Sequence, residues 1–162
     1  MFKIGDIIVY GAQGICRIDS TEEKQIGKTN VNYYVLKPIF NQNTSVFVPV
    51  ENAALTAKMI DVLSKTQASQ LMQKANDISL LKFAAENDKQ TEYKAILASG
   101  DRERLLALIK TIRAERDVRR ENGKKLNIID EQTLRKAETL FYNEMAFVYD
   151  VAPDEVKNII NF

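Results

Sequence analysis

The sequence changes character between residues 44 and 55, and that change limits the chain to a β-rich first part followed by helices. Residues 44–48, Thr-Ser-Val-Phe-Val, concentrate β-branched and aromatic side chains behind an Asn41-Gln42-Asn43 turn signal, a combination that predicts a strand. Pro49 has no amide hydrogen to give to a ladder, so the strand it ends is predicted at a sheet edge. Residues 52–55 read as one helical turn and 58–63 as an extended connector. A chain of 162 residues has room for two small domains, with a boundary expected at 57/58.

Glycines punctuate everything before that edge. Ile7 to Tyr10 and Ile15 to Ile18 are apolar runs separated by Gly11-Ala12-Gln13-Gly14, a hairpin signature. A polar run, 19–23, leads into Lys24-Gln25-Ile26. Gly27-Lys28 then turns the chain into a third strand over 31–39, and 44–48 closes the set. Four or five short antiparallel strands predict a small open barrel of Tudor-like or SH3-like form. Gly27-Lys28-Thr29 imitates the end of a phosphate-binding loop, but Glu22 stands where that loop needs glycine, and a strand follows where it needs a helix.

Residues 58–162 are predicted to be all-α, which makes the fold class α+β. Ser64 with Gln67 forms a capping box for a helix to about residue 75. Asn76-Asp77 breaks it, and 78–86 reads as a short helix or a packed loop. A helix capped by Asn87 or Asp88 carries Tyr93, Ile96 and Leu97 on one face and ends at Gly100. Asp101 restarts a helix whose Leu105, Leu108, Ile109 and Ile112 follow core spacing. Asp130 is the expected cap of the next helix, which carries the broad stripe Leu134, Ala137, Leu140, Phe141, Glu144, Met145 and Val148. Pro153 suits the first position of a last short helix.

The net charge of +1 conceals an uneven distribution. Residues 102–125 hold nine basic and four acidic side chains, whereas 126–162 hold three basic and seven acidic. Past Ile112 the apolar face runs out, and Arg113, Arg116, Arg119, Arg120, Lys124 and Lys125 follow. Such a run is either a solvated helix face laced with Glu115, Asp117 and Glu121 or a set of phosphate contacts. Catalysis finds no footing: there is no histidine, no Cys/His ligand set and no nucleophile elbow. The single cysteine, Cys16, lies in a strand pattern and reads as a small core hydrophobe. No cofactor, metal, small-molecule substrate or membrane span is expected, and the place expected for the chain is the cytoplasm.

Several short stretches taken in order carry a likeness that none carries alone. They are Phe2-Lys3-Ile4-Gly5-Asp6, Val9-Tyr10 and Gly14; Tyr34-Val35-Leu36-Lys37; Val48-Pro49 with Glu51-Asn52-Ala53; and Tyr93-Lys94-Ala95 with Leu97-Ala98-Ser99-Gly100-Asp101. Over nearly its whole length the chain resembles the CarD/CdnL family of bacterial transcription regulators. The resemblance implies an N-terminal Tudor-like domain, shared with the transcription-repair coupling factor, that binds the β subunit of RNA polymerase. It also implies a helical domain that touches promoter DNA at the upstream edge of the melted region and alters open-complex stability.

Carried onto this sequence, the resemblance and the edge strand together assign polymerase binding to Lys24, Ile26, Ser45, Val46, Phe47 and Pro49. Val46 or Phe47 is the expected anchor. DNA contact falls to Lys89, Tyr93 and Lys94, with the six cations of the basic run as additional phosphate contacts, the whole weak and tolerant of sequence. Tyr93 reads equally as a core residue. Two positions depart from the family: Lys89 stands where many relatives place a tryptophan wedge, and Phe47 where they often place an arginine. An alternative function is a protein-protein adaptor that docks through its sheet edge without touching nucleic acid.

Overall fold

The computed structural model describes residues 1–160 and 162, which divide into two compact units, Met1–Val62 and Leu63–Phe162. The first is an antiparallel sheet. Its strands are β1 (Ile7–Tyr10), β2 (Ile15–Ile26), β3 (Thr29–Pro38), β4 (Val46–Pro49) and β5 (Met59–Asp61), in the spatial order β4-β3-β2-β1-β5. A four-residue helix, α1 (Ala53–Thr56), capped by the Asn52 side chain, lies between β4 and β5. Four consecutive strands form a meander, and β5 returns to pair antiparallel with β1.

Two expectations are corrected here. The stretch 58–63 contains a strand, since Met59–Asp61 pairs with Ile8, Val9 and Tyr10, and the division between units accordingly falls after Val62. The polar run 19–23 belongs to β2, which continues without a break to Ile26. A bulge between Ile18 and Ser20 shifts the register, so that Ile18 opposes Leu36 while Thr21 opposes Tyr34. Beyond the bulge both faces of β2 are largely solvated, which explains why no apolar alternation announced it. Gly27, at φ +63°, supplies the left-handed conformation that the two-residue β2–β3 turn requires.

Ile8, Cys16, Ile18, Tyr34, Leu36, Val48 and Met59 are the buried core of this unit, flanked by Phe2, Tyr10, Val46, Val50 and Leu55. At about 1.5–3 kcal/mol for each fully buried large aliphatic side chain, this cluster is the main favourable term for so short a domain.

The second unit is helical. Ser64 and Gln67 exchange side-chain and backbone bonds in a complete capping box at the start of α2 (Lys65–Lys74). The 3-10 turn Ala75–Asp77 follows, and the Lys110 ammonium donates to the carbonyls of Ala75 (2.7 Å), Asn76 (3.1 Å) and Ile78 (2.8 Å). The Leu81 amide donates to the Thr111 hydroxyl at 2.9 Å, so the segment after the turn is a loop held by the helix that carries Lys110 and Thr111. Helix α3 (Glu86–Ser99) begins ahead of the expected caps: Asn87 and Asp88 lie inside its first turn, where Glu86 and Asp88 favour the helix dipole. Gly100 ends α3 in the left-handed conformation, and the Asp101 side chain accepts the Arg104 amide to start α4 (Arg102–Glu121).

Helix α5 (Ile128–Tyr149) is capped by Asn127, whose side chain accepts the Asp130 amide at 2.8 Å. Asp130, the expected cap, is buried within the first turn instead. Leu105, Leu106, Leu108, Ile109 and Ile112 of α4 are buried, as are Leu134, Ala137, Phe141 and Met145 of α5. Glu144 is a buried carboxylate on α5, bonded by Arg102 through Nε (3.1 Å) and a terminal nitrogen (2.7 Å) and by the Leu63 amide (3.2 Å). Pro153 opens α6 (Pro153–Ile159) from its first position.

Candidate functional site

The sheet edge is the first candidate surface. β4 pairs only with β3, through Leu36↔Val46, Val35↔Phe47, Tyr34↔Val48 and Tyr33↔Pro49. The Val50 amide donates to the Asn32 carbonyl at 2.8 Å, which makes that pair hydrogen-bonded. Alternation along an antiparallel ladder then assigns Val48 and Val46 to bonds with β3 and turns the backbone polar groups of Phe47 and Pro49 outward. Pro49 thus occupies a position where its missing N–H breaks no bond to β3, and Phe47 offers the free edge both a donor and an acceptor.

Side chains follow the same parity. Val46 and Val48 face the core, Val46 half-buried and Val48 wholly so, while Phe47 points away and is 40% exposed. The Tyr33 ring meets Phe47 edge-on at 6.3 Å, and the Lys24 ammonium sits 3.3 Å from the centre of the Phe47 ring. Lys24 and Ile26 occupy alternate positions on β2, so they share a face, and Ile26 is 59% exposed. Of the residues named from the sequence, Lys24, Ile26 and Phe47 are therefore brought to one face. Ser45 is exposed just ahead of the strand, and Pro49 lies at its end. Val46 is turned to the opposite face, so Phe47 is the available anchor. Tyr33 was not named from the sequence; the alternation Val31, Tyr33, Val35 puts it on that face only once the register with β4 is known.

The second candidate surface lies on the helical unit. Tyr93 is only 4% exposed: its hydroxyl donates to Asp130 Oδ1 at 2.9 Å, and its ring packs edge-on against Phe83 at 5.6 Å. Burial, then the bond to Asp130, raises its pKa well above the ordinary 10.0. A ring so enclosed has no face for a nucleic acid. Lys89, one turn earlier, is mostly covered, pairs with Glu86 at 3.2 Å and lines the same cavity of about 120 Å³ as Phe83, Tyr93 and Asp130. Lys94 is exposed.

The basic run divides in two. Arg113 donates from Nε to Glu138 (2.9 Å) and from a terminal nitrogen to the Tyr142 hydroxyl (2.6 Å), joining α4 to α5. Burial alone would lower its pKa, but the bonds to Glu138 and Tyr142 outweigh that and raise it. Arg119 pairs with Glu115 at 3.0 Å, and Arg116 lies 3.6 Å from Asp117. Arg120, Lys124 and Lys125 are exposed and form no ion pair among the described residues. With Arg116 they line a groove of about 590 Å³ between the end of α4 and the first half of α5. Leu126, Leu134 and Arg135 line it too, of which only Leu134 was named from the sequence, and then as a core residue.

Among the described residues no group of His, Cys, Asp or Glu side chains is arranged to hold a metal ion, and no helix is long and apolar enough to cross a membrane. What these surfaces offer is association: a strand edge with an aromatic-cationic cluster, and a cationic groove. No curated protein matches the chain. Residues 2–62 match the family model of the CarD-like/TRCF RID domain, so the unit that presents the Phe47 edge is of the kind that serves as the RNA polymerase-interacting domain of CarD-like proteins.

Proposed function

We propose that this chain is a non-enzymatic, cytoplasmic transcription regulator that docks on the β subunit of RNA polymerase through β4 and contacts promoter DNA weakly through its helical unit. The open β4 edge, with the Phe47 amide and carbonyl turned outward, carries the reading. Main-chain pairing along that edge supplies affinity, and Phe47, backed by Tyr33 and Lys24, supplies specificity. Ile26 extends the apolar part of the contact, and Ser45 and Pro49 bound it. On the DNA side, Lys94, Arg120, Lys124 and Lys125 are the cations available for phosphates, with Lys89 available on release from Glu86. Arg113 joins α4 to α5, and Arg116 and Arg119, paired with acids of their own helix, contribute to the field. Contacts of this kind are salt-sensitive and nearly blind to sequence, and tethering on polymerase raises their occupancy and so shifts open-complex stability.

Phe47→Pro removes the outward amide and the anchor ring, and Phe47→Ala removes the ring alone. The first is expected to abolish capture of the β subunit and the second to weaken it, with helix content unchanged by circular dichroism; retained capture by folded Phe47→Pro overturns the edge model. Val46→Pro is the wrong probe, because the Val46 amide bonds to β3 and its loss would detach the strand itself. For DNA, Lys89→Glu with Lys94→Glu is expected to change open-complex lifetime at a responsive promoter while polymerase binding holds. An unchanged lifetime favours a second reading, an adaptor that never touches nucleic acid. That reading draws its support from the burial of Tyr93 and the carboxylate pairing of Lys89, Arg113 and Arg119.

A further inference from the structure

The groove between α4 and α5 differs in kind from a flat phosphate-contacting surface. Its volume, about 590 Å³, lies within the about 300–1,000 Å³ typical of small-molecule sites. It has a cationic wall, Arg116, Arg120, Lys124 and Lys125, and an apolar part formed by Leu126 and Leu134. Two acids also line it, and both are already answered: Glu138 by Arg113 at 2.7 Å and Glu131 by Arg135 at 3.6 Å. The charge left without a counterpart is positive. Arg116 adds a further sign of vacancy: its Nε is buried with no hydrogen-bond partner, the nearest carboxylate, Asp117, standing beyond bonding distance at 3.6 Å. A buried donor left so forfeits hydration that an acceptor from a ligand would restore.

We propose that this groove binds a nucleoside polyphosphate. The phosphates lie against Arg116, Arg120, Lys124 and Lys125, which together balance the three to four negative charges of a triphosphate. The heterocycle packs on Leu126, over the groove floor to which the buried Leu134 contributes. Ribose hydroxyls face Glu131, a carboxylate with acceptor capacity beyond its single distant arginine. An inorganic polyphosphate would satisfy the cations but leave the half-buried Leu126 uncovered, whereas a duplex cannot enter a concavity of this size. Where the same cations also serve DNA, ligand and promoter exclude each other; that consequence alone rests on the DNA reading above.

The test is calorimetric titration of the full chain with ATP and GTP, without DNA or polymerase, so that its failure leaves the transcriptional reading untouched. Saturable binding at one site is expected for at least one of the two, with inorganic triphosphate weaker by about tenfold or more. Arg120→Glu with Lys124→Glu should weaken the nucleotide by about tenfold or more, as expected for loss of two phosphate contacts, and Leu126→Ala should narrow the gap between nucleotide and triphosphate. Lys65→Glu, on exposed α2 surface, should change nothing. The proposal is overturned by absent binding at millimolar nucleotide, by triphosphate binding as tightly as nucleotide, or by an equal loss in Lys65→Glu, which would mean diffuse attraction.

Discussion

The Tyr93 hydroxyl and the Asp130 carboxylate form a buried polar link between α3 and the first turn of α5, and Asn127 completes it by donating its side-chain amide to the other carboxylate oxygen at 2.8 Å. Tyr93→Phe leaves one oxygen of a buried carboxylate without its donor and is expected to cost about 1–2 kcal/mol in urea denaturation. Its pH dependence identifies the cause. The folded pKa is raised above 10.0, so above that pH the unfolded chain releases the phenolic proton while the folded chain keeps it, and stability falls as pH rises. The Tyr93→Phe variant lacks that component, so its stability measured by helix signal should fall less steeply above pH 10 than that of the parent. Sequence spacing placed Tyr93 beside Ile96 but could not decide between core and surface, because the deciding partner, Asp130, is 37 residues away.

Elements closed by their own neighbours are the ones the sequence makes legible. Ser64 with Gln67, Gly100, Asp101 and Pro153 each satisfy the orphan groups of a helix end within a few residues. Gly100, at φ +71°, joins α3 to α4 with no loop between them beyond Asp101. Gly100→Ala puts a Cβ into the left-handed region and is expected to destabilise the helical unit by about 1–2 kcal/mol, read as a lower urea midpoint with an unchanged slope. Elements defined by distant pairing stay hidden. β5 is three residues whose identity as a strand comes from β1, some fifty positions earlier, and the far half of β2 has no buried face to leave a pattern. The edge itself was legible from Pro49. The orientation of Phe47 and Val46 was not, since parity depends on which pairs of the ladder carry hydrogen bonds.

For the whole molecule, near-zero net charge and a two-unit plan were visible from composition and periodicity, but the usable charge was not. Arg113 loses its freedom to Glu138 and Tyr142, 25 and 29 residues downstream, and only the assembled α4–α5 pair separates it from Arg120, Lys124 and Lys125. Cys16 has a consequence at this scale. It is the single cysteine in 162 residues, it lies in the sheet unit with 0% exposure, and burial pushes its pKa up to about 12. An alkylating reagent at neutral pH therefore meets neither access nor thiolate until the sheet opens, and labelling should run about 10³–10⁶ times slower than in urea. Labelling at a rate near the urea value would show that the sheet opens readily. With no tryptophan in the chain to fluoresce, intact-mass detection of one added label becomes a native stopwatch for the polymerase-interacting unit, readable in unmodified protein and indifferent to the helices.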